Sequence, residues 1–597
     1  MRRNDEIARR FEEFADRLEA DGVEYKPSAY RRAAENIREC ADPIEDLAAE
    51  GQDAVKSINR VGDAIASKII EYIETGSIDE LDELRDRLPV EIDALTRVDG
   101  VGPKTVGTLY EELGITTLDE LAAAAEAEEI RDVSGFGAKT ETNIRENVAF
   151  ARQAGERERL GDVRPLADEV LTFLRRRETV QKSEVAGSIR RWRDTIGDVD
   201  VLAASTEAKQ VVEAFTDWSA ATDVIEAGDN KASLRAEGVR IDLRVVDPGE
   251  FGAALQYFTG SKDHNVALRN RAIERDLKMN EYGIFDVSDV DLDTHGDSDG
   301  DPTTDDMNTQ RIGDRIAGET ETSMYEALGL PWIPPELREN RGEIEAAADG
   351  TLSELLTVND MCGDLHTHTT RSDGRASREQ MVDAAVGRGY EYYAVTDHAS
   401  GPGMVGGIGL SDDELREQLE TIETARETRG DEIELLAGVE TNIDAEGDLS
   451  TGDEILTELD VVVASPHTAL GQEREAATER LIRAVNHQSV DVLGHPTGRR
   501  INERPGLDID IERVASAAAE AETALEVNAN PTRLDLHGTF IQAARDAGAT
   551  IAINTDAHAP ESLAYARYGV HTARRGWCTP TDVLNSFDLT TLRAFLH

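Results

Sequence analysis

The sequence predicts a multidomain protein with a helical N-terminal third, an α+β middle region and a C-terminal barrel of alternating strands and helices. Before residue 155, apolar side chains recur at three- and four-residue spacing without an alternating strand pattern. In the middle, two apolar runs that contain Asp198, Asp200 and Asp242 have strand character. After residue 360, six short apolar runs end in polar residues between helical patterns. A chain of 597 residues is long enough for about four domains with separate cores.

The charge balance is strongly acidic, and lysine is scarce. The chain has 121 Asp and Glu against 64 Lys and Arg, a formal charge of -57, and no lysine follows Lys278. Such a field ordinarily repels nucleic acid. An acidic, lysine-poor surface also resembles proteins of salt-loving archaea, where the Debye length at about 1 M salt is only about 3 Å. Net charge therefore does not exclude DNA as a partner, and the acidic run 286–306 is predicted to be a solvated loop or a disordered segment.

Cysteine usage and the N-terminus indicate the compartment. Cys40, Cys362 and Cys578 are far apart and form no CxxC pair, which argues for a reducing environment and against a thiolate zinc site. The start of the chain is charged and lacks an apolar signal core, and no run is long and apolar enough to span a membrane. We therefore predict a cytoplasmic protein without a membrane segment.

Three glycine-containing turns recur between the predicted N-terminal helices, in the stretches 58–69, 95–115 and 130–144. Glycine permits a tight turn whose backbone N–H groups face outward at a helix start, which suits a DNA phosphate and reads no base. One such turn would more often simply join two helices. Three copies, two with a following lysine, resemble helix-hairpin-helix motifs. The predicted DNA-contacting residues are Gly62, Gly100, Gly102, Lys104, Gly135, Gly137 and Lys139.

A group of three carboxylates is predicted in the middle region. Asp198 and Asp200 alternate with valines on one strand, and Asp242 stands within a second strand. Crowded carboxylates repel one another unless a cation lies among them, and oxygen ligands together with substrate phosphates suit Mg²⁺. Two such ions serve phosphoryl transfer. The alternative is a pair of acidic surface strands, but Gly187 and Ser188, with arginines close by, would suit a triphosphate.

Four stretches of the middle region resemble family X DNA polymerases of the DNA polymerase beta type. They are, in order, GSIRRWRDTIGDVD, RIDLRVV, YFTGSKDHN and KMNEYGIF. The resemblance covers about the first 340 residues and implies a nucleotidyltransferase palm and a thumb. It implies that Asp198 and Asp200 hold two Mg²⁺ or Mn²⁺ ions, and that Asp242 joins this set and assists the 3′-hydroxyl nucleophile. It further implies a nucleotide site to which Gly187 belongs and in which Ser188 and Arg191 hold the triphosphate. Asn280 would contact the incoming base pair, and the segment that discriminates the sugar would be formed by Tyr257, Phe258 and Gly260.

Lys68 aligns with the lysine that forms a Schiff base in this family during removal of a 5′-deoxyribose phosphate. A lysine nucleophile needs a depressed pKa, through burial or through neighbouring cations. Most of the positive residues that surround this lysine in the beta enzyme are missing here. A lyase role and a purely structural role for Lys68 therefore both remain open.

Histidines and carboxylates gather at the predicted strand ends of the C-terminal part. A lone histidine is more often a hydrogen-bonded core residue, but six of the 12 histidines of the chain fall at these ends. Mixed imidazole and carboxylate ligands suit Zn²⁺ or Mn²⁺, and nine ligands imply two or three ions with hydrolytic phosphoester chemistry. The predicted ligands are His366, His368, Asp373, His398, Glu440, His467, His495, Asp556 and His558.

The series HxH, SDG, TDH, GVE, PH, GHP and TDAH resembles the polymerase and histidinol phosphatase (PHP) domain from about Gly363 onward. The resemblance implies a distorted (β/α)7 barrel with a trinuclear metal centre, in which Glu440 bridges ions. Pro466, before His467, departs from the usual pattern of the family. Asp364 is expected to orient a strand end, and Arg533 either to meet a DNA phosphate or to serve a helix start.

The two resemblances together divide the chain into six segments. These are a lyase-like helical domain at 1–85, fingers at 86–155, a palm at 156–252, a thumb at 253–340, a linker at 341–359 and a PHP domain at 360–597.

The predicted function is gap-filling DNA polymerisation in base excision repair. The PHP centre would act as a 3′-5′ exonuclease or 3′-end phosphoesterase, with incision of abasic sites as a further activity. The partners would be gapped or primed double-stranded DNA and dNTPs, and the protein is expected to be a monomer from a halophilic archaeon. Two alternatives are a small-molecule phosphoesterase with a vestigial polymerase half and a non-catalytic scaffold at DNA ends.

Overall fold

The computed structural model describes residues 3–23, 26–40, 43–58, 60–98, 100–133, 135–290, 310–401 and 408–596. Within these residues the chain forms two compact units. The first comprises 1–158 with 502–505, and the second comprises 159–501 with 506–597. Most of the acidic run that was predicted as a loop, 291–306, lies outside the described residues. None of the described helices is long and apolar enough to cross a bilayer.

The first unit is helical, as its apolar spacing predicts. Its cores lie in two separate clusters, one built from residues 7–84 and the other from residues 88–151. The helices are Arg3–Ala20, Lys26–Glu39, Ile44–Glu50, Gln52–Val55, Asp63–Thr75, Asp79–Arg87, Ile92–Leu95, Pro103–Leu113, Leu118–Glu126 and Ala138–Glu156, with a 3₁₀ turn at Ile130–Asp132.

Each of the three glycine turns leads directly into a helix. Gly62, Gly102 and Gly137 are the N-cap residues of the helices that begin at Asp63, Pro103 and Ala138. Within the described residues, no side chain accepts a hydrogen bond from the first backbone N–H groups of these helices. A helix start without a side-chain cap leaves backbone N–H groups that can donate hydrogen bonds to an anion.

The second unit begins with a five-stranded sheet. In spatial order its strands are β2 (Lys182–Val185), β4 (Val199–Ala204), β7 (Val239–Val246), β6 (Lys231–Ala236) and β5 (Asp223–Ala227), and the pair β4 and β7 is parallel. Helices Leu160–Arg175 and Ala208–Thr216 cover one face, while helix Phe251–Thr259 covers the other. β1 (Glu158–Arg159) and β3 (Thr195–Ile196) form a separate two-stranded sheet.

A smaller antiparallel sheet follows, formed by β8 (Leu277–Asn280), β9 (Gly283–Asp286) and β10 (Asp314–Ala317). It shares a core with the helices Lys262–Ile273 and Glu321–Ala327.

The segment 341–359, predicted as a linker, is packed into this core. It contains the helix Glu343–Asp349, whose Ile344 and Ala347 join the same apolar cluster. His264 and Glu343 are both fully buried, with Nδ1 2.5 Å from Oε1. The segment predicted as a linker is therefore structured and packed. Its Ala/Glu-rich composition includes a short helix that a buried hydrogen bond between His264 and Glu343 holds in place.

The C-terminal part is a nearly closed parallel barrel, as predicted. Seven strands follow one another in chain order. An isolated parallel bridge between Thr367 and Ala557, just after the first and last strands, connects the two edges of the sheet. The strands are β11 (Gly363–Asp364), β12 (Tyr392–Val395), β13 (Glu434–Asn442), β14 (Val461–Ser465), β15 (Val492–Leu493), β16 (Ala524–Asn528) and β17 (Ile551–Asn554).

Side chains alternate between the inside and the outside of the barrel, as the period of two in a strand requires. Tyr392 and Ala394 belong to the inner cluster, whereas Tyr393 and Val395 pack outward against the helices. The helices of this part are Arg378–Gly387, Asp412–Arg429, Asp453–Leu456, Arg474–Val485, Ile511–Ala521, Gly538–Asp546, Ala566–Arg575 and Leu589–Phe595.

Candidate functional site

The predicted metal ligands of the barrel lie at one end, where the parallel strands terminate. The structure brings eight of the nine into three overlapping groups, and within each group the ligand atoms lie within 4.8 Å of one another. The groups are His368, Asp373, His398 and His558; His366, His368 and Asp556; and His398, Glu440 and His467. His368 and His398 each belong to two groups, so neighbouring ion positions share ligands. His495, the ninth residue, has Nε2 3.1 Å from Oε1 of Glu440.

The donor atoms of these groups fit divalent cations. Among the described residues, several of their buried nitrogen and oxygen atoms have no hydrogen-bond partner, including Nε2 of His366, both ring nitrogens of His368 and Oε2 of Glu440. Nδ1 of His398 lies 2.6 Å from Oε2 of Glu440 without hydrogen-bond geometry between them. Buried polar atoms normally have partners. Converging, unpaired imidazole and carboxylate atoms are the donor set that Zn²⁺ or Mn²⁺ takes.

Charge balance within the barrel site favours ionised carboxylates and a neutral central imidazole. Burial alone would raise the pKa of Glu440, but His398, His366 and His467 hold that pKa well below its usual range. Burial, together with repulsion from His558 and His398, lowers the pKa of His368 to about 4. At His366, His398 and His558, burial lowers the pKa but the neighbouring carboxylates outweigh it and raise the pKa, so a metal ion would displace protons from these imidazoles.

Residues that the sequence analysis did not select orient these ligands. Glu526, buried on β16, lies 2.8 Å from Nδ1 of His366 and accepts the backbone N–H of His495 at 2.6 Å. Oδ1 of Asn442 lies 2.6 Å from Nδ1 of His467. Such outer partners set the tautomer and direction of a ligating imidazole. A glutamate inside the apolar run ALEVN was the available signal for Glu526.

Asp364 and Arg533 take different positions in the barrel site. The Asp364 carboxylate accepts hydrogen bonds from Thr555 and from the backbone N–H of His366, and therefore orients the strand end. Burial raises the pKa of Asp364 to about 6. Nε of Arg533 lies 3.7 Å from Oδ2 of Asp556. Arg533 therefore faces the ligand group. It does not serve a helix start, because the next helix begins only at Gly538.

The three carboxylates of the five-stranded sheet also converge. Asp200 and Asp242 are register partners on β4 and β7, and with Asp198 they form one group of atoms within 4.8 Å of one another. Burial raises the pKa of Asp200 to about 7, with repulsion from Asp198 and Asp242 as the next causes. Such mutual repulsion is relieved by a cation with oxygen ligands, such as Mg²⁺. A cavity of about 210 Å³ adjoins the group and is lined by Asp200, Asp242, Arg240, Arg244 and Phe258.

Three of the predicted nucleotide-binding residues, Gly187, Ser188 and Arg191, lie on one turn, and Gly187 closely approaches Asp200. Gly187 has φ +59°, and a Cβ there would lie 2.1 Å from Oδ2 of Asp200, so this close approach requires glycine. Ser188 follows on the short helix Gly187–Arg190. Arg191 pairs with Glu339 at 2.9 Å and donates to the carbonyl of Thr259 at 2.7 Å.

The residues predicted to contact the sugar and base lie in the last turn of the Phe251–Thr259 helix, at its C-cap and at the end of β8. The rings of Tyr257 and Phe258 pack edge to face at 5.2 Å, and Gly260 ends that helix. Phe258 lines the cavity beside the carboxylates, whereas Tyr257 and Asn280 line a separate cavity of about 830 Å³. The side-chain amide of Asn280 donates to the carbonyl of Gln310 at 2.7 Å.

The lysines of the first unit differ in their surroundings. Lys104 and Lys139 are exposed in the first turns of two helices that follow glycine turns. Lys68 is instead ion-paired, with Nζ 2.7 Å from Glu80. Burial lowers the pKa of Lys68, but the hydrogen bond to Glu80 and the fields of Tyr30, Glu80 and Glu71 outweigh it, so this pKa is raised. The direction is opposite to the one that a Schiff-base nucleophile needs.

Family models match most parts of the chain. The PHP domain matches residues 364–530 and the DNA polymerase beta thumb matches residues 254–339. A helix-hairpin-helix domain matches residues 2–78, and a SAM-like helix-hairpin-helix tandem matches residues 92–148.

Curated relatives fall into two kinds. A probable phosphatase of Caldanaerobacter subterraneus subsp. tengcongensis is 34% identical over 208 residues, which are 33% of this chain and 75% of the phosphatase. A probable phosphatase of Thermoanaerobacter sp. (strain X514) is 31% identical over 236 residues, 37% of this chain and 89% of its own. The DNA polymerase/3'-5' exonuclease PolX of Bacillus subtilis (strain 168) is 34% identical over 595 residues and 99% of each chain. The chain belongs to the family X DNA polymerases that carry a C-terminal PHP domain.

Proposed function

We propose that this protein is a DNA-directed DNA polymerase that fills short gaps during repair, and that its barrel centre trims 3′ ends as a 3′-5′ exonuclease. The observation that carries the proposal is the presence of two separate ligand sets in one chain. One set has three carboxylates beside a glycine turn and arginines, and the other has eight converging imidazoles and carboxylates. The first suits nucleotidyl transfer and the second suits phosphoester hydrolysis.

In the polymerase centre, Asp198 and Asp200 would hold two Mg²⁺ or Mn²⁺ ions, with Asp242 as the third member of the set. Such ions stabilise the attacking and leaving oxygens of an in-line displacement. Asp242 accepts the proton of the primer 3′-hydroxyl, and Gly187 lets the backbone approach the triphosphate closely. Arg191 supplies guanidinium N–H groups to the phosphates. The segment that contains Tyr257, Phe258 and Gly260 contacts the sugar, and Asn280 contacts the base pair.

In the barrel centre, the nine predicted ligands, His495 included, would hold two or three Mn²⁺ or Zn²⁺ ions. Bound ions of this kind lower the pKa of water and polarise a phosphate. Arg533 is the guanidinium beside the ligand group, and in this proposal it contacts the phosphate of the terminal nucleotide. Removal of 3′-blocking phosphates and incision at abasic sites use the same chemistry and are further candidate reactions.

The proposal also covers DNA binding, the salt conditions and the oligomeric state. The exposed glycine turns and Lys104 and Lys139 would bind the phosphates of gapped duplex without reading its sequence. The acidic surface is suited to concentrated cytoplasmic salt, where a short Debye length screens repulsion between protein and DNA. We infer a monomer, with dNTPs as the small-molecule substrates.

The test is to offer the unchanged protein a one-nucleotide gap in duplex DNA and, separately, p-nitrophenyl phosphate, in molar salt with Mg²⁺ or Mn²⁺. We expect dNTP-dependent extension of the gap and, without dNTPs, shortening of the 3′ end. Hydrolysis of the small phosphomonoester without any extension would instead identify a phosphoesterase with a vestigial polymerase half. Binding of the gap without either reaction would identify a scaffold.

Lys68 is expected not to act as a lyase nucleophile. A lysine whose pKa is raised above its ordinary value of about 10.4 is almost fully protonated at pH 7 and cannot attack an aldehyde. We expect borohydride trapping on a 5′-deoxyribose phosphate substrate to give the same low adduct yield for the unchanged protein and for Lys68→Ala. Lys56→Ala is the matched control, since Lys56 is also ion-paired, 2.7 Å from Asp63. An adduct that is lost only in Lys68→Ala would contradict this expectation.

A further inference from the structure

The barrel domain contacts the turn that carries the nucleotide-binding residues. We call residues 187–194 the triphosphate turn and the barrel helix Ala566–Arg575 the seam helix. Nη1 of Arg575 donates to the backbone carbonyl of Arg191 at 3.0 Å. The ring of His571 stacks on Trp192 with centroids 3.7 Å apart and planes within 4°. Both contacts come from the barrel, about 380 residues later in the chain.

Trp192 occupies a backbone conformation that depends on its surroundings. Its φ is +53°, in the left-handed region that bulky residues rarely adopt. Conformations of this kind persist only where packing over-determines them. Besides His571, the Trp192 ring contacts Tyr568 edge to face at 5.9 Å and lies beneath the guanidinium of Arg567 at 5.4 Å. Three side chains of the seam helix therefore hold the residue that follows Arg191.

Ion pairs hold the same turn at two further residues, Asp194 and Arg191. At the C-terminal end, Nη1 of Arg499 lies 2.9 Å from Oδ2 of Asp194, and Nε of Arg499 donates to the carbonyl of Arg533 at 2.8 Å. Arg499 and Arg575 hold the pKa of Asp194 well below its usual range, although burial raises it. Near Arg191, Glu339 pairs with that guanidinium at 2.9 Å and lies 3.6 Å from Arg575.

We propose that the barrel domain positions the triphosphate turn, and that Arg575, His571 and Arg499 are positioning residues for nucleotide addition. They would act through the backbone of Arg191 and the side chains of Trp192 and Asp194. Arg575 is only 6% exposed, so it is placed to hold the turn and not to contact a nucleotide itself. The proposal rests on the proposed polymerase function, because it concerns the geometry of the nucleotide site.

The first test compares Arg575→Ala with Arg480→Ala. Arg480 is a matched control because it is also buried in the barrel, 2% exposed, and donates to backbone carbonyls away from the turn. We expect Arg575→Ala to raise the KM for dNTP about tenfold on gapped duplex, the effect of losing one charge-assisted hydrogen bond. The kcat should change less, and trimming of single-stranded DNA should stay near that of the unchanged protein. Arg575→Lys keeps a donor and a charge and should recover part of the loss.

The second test uses two changes at one position, in case Arg575→Ala does not fold. His571→Ala and His571→Phe both remove the contact of His571 with Glu336, 2.6 Å away, but only Phe keeps a ring against Trp192. We expect His571→Ala to raise the KM for dNTP and His571→Phe to stay close to the unchanged protein. The melting temperature is recorded for every variant, so that a loss of stability alone is recognised.

The outcomes separate this proposal from the function on which it rests. If the unchanged protein does not extend a gapped primer, the proposed function fails. If it does, and the KM for dNTP is unchanged in Arg575→Ala and in His571→Ala, the positioning role is wrong. Equal losses of extension and trimming in these variants would also overturn it, because they would indicate a general destabilisation of the fold.

Discussion

Asp200→Asn is expected to lower the rate of nucleotide addition on a gapped duplex by on the order of 10³-fold or more. Asp200 faces Asp242 in the β4–β7 register, and its carboxylate belongs to the group that would hold both ions. An amide of the same size keeps the packing but removes the charge that binds a cation. Loss of a metal-held transition state costs about 4–6 kcal/mol, which corresponds to about three to four decades in rate.

Trimming of a 3′ end should persist in Asp200→Asn, because the barrel ligands belong to a separate group of residues. The measurement is single-turnover extension with dNTP, beside exonuclease activity on the same labelled primer without dNTP. Asp223→Asn is the matched control, since Asp223 is an exposed aspartate on β5 of the same sheet. Loss of both activities in Asp200→Asn, or extension that survives unchanged, would contradict the assignment of two separate centres.

His368→Ala is expected to have the reciprocal effect, a loss of trimming by on the order of 10³-fold. His368 belongs to two of the three ligand groups, so its removal affects two ion positions at once. Both of its ring nitrogens are buried without a hydrogen-bond partner among the described residues, and carboxylate oxygens of Asp556 and Glu440 lie 3.2 and 3.6 Å from Nε2, which favours a role in holding an ion. Extension of a gapped primer should remain close to that of the unchanged protein.

The measurement for His368→Ala adds metal content to the two activities. Bound Mn²⁺ or Zn²⁺ per chain, determined by elemental analysis after dialysis, should fall together with the exonuclease rate. His487→Ala is the control, because His487 lies in the same barrel beside Asp453 and outside the ligand groups. Full metal content with full trimming in His368→Ala would place the hydrolytic centre elsewhere.

The strongest sequence signals were those with a simple geometric consequence. Polar residues at the ends of successive apolar runs must meet if the strands are parallel, and this predicted a barrel and the location of its ligands, whereas the number of seven strands came from the resemblance to the PHP domain. Alternation around Asp198 and Asp200 likewise predicted a shared strand face. The approach of Asp242 to this pair followed once β4 and β7 were paired in parallel.

Other features could not be read from local patterns. The helix Glu343–Asp349 depends on a buried contact with His264, which lies 79 residues earlier in the chain. The roles of Glu526 and Asn442 depend on which ring nitrogens face them across the barrel. The raised pKa of Lys68 depends on Glu80, which belongs to the next helix. In each case the deciding partner is distant in sequence or is specified only by side-chain direction.

The sequence by itself determined the family, the barrel and the residue types of two candidate metal sites, because these depend on motif order and on strand periodicity. Only the tertiary structure decided that the barrel domain holds the triphosphate turn. Arg575 and His571 lie on a helix whose sequence carries no nucleotide-binding motif, and their effect arises from hydrogen bonding and stacking across the seam. Contacts of this kind leave no periodic pattern in the sequence, since they depend on how the barrel helices pack against the five-stranded sheet region.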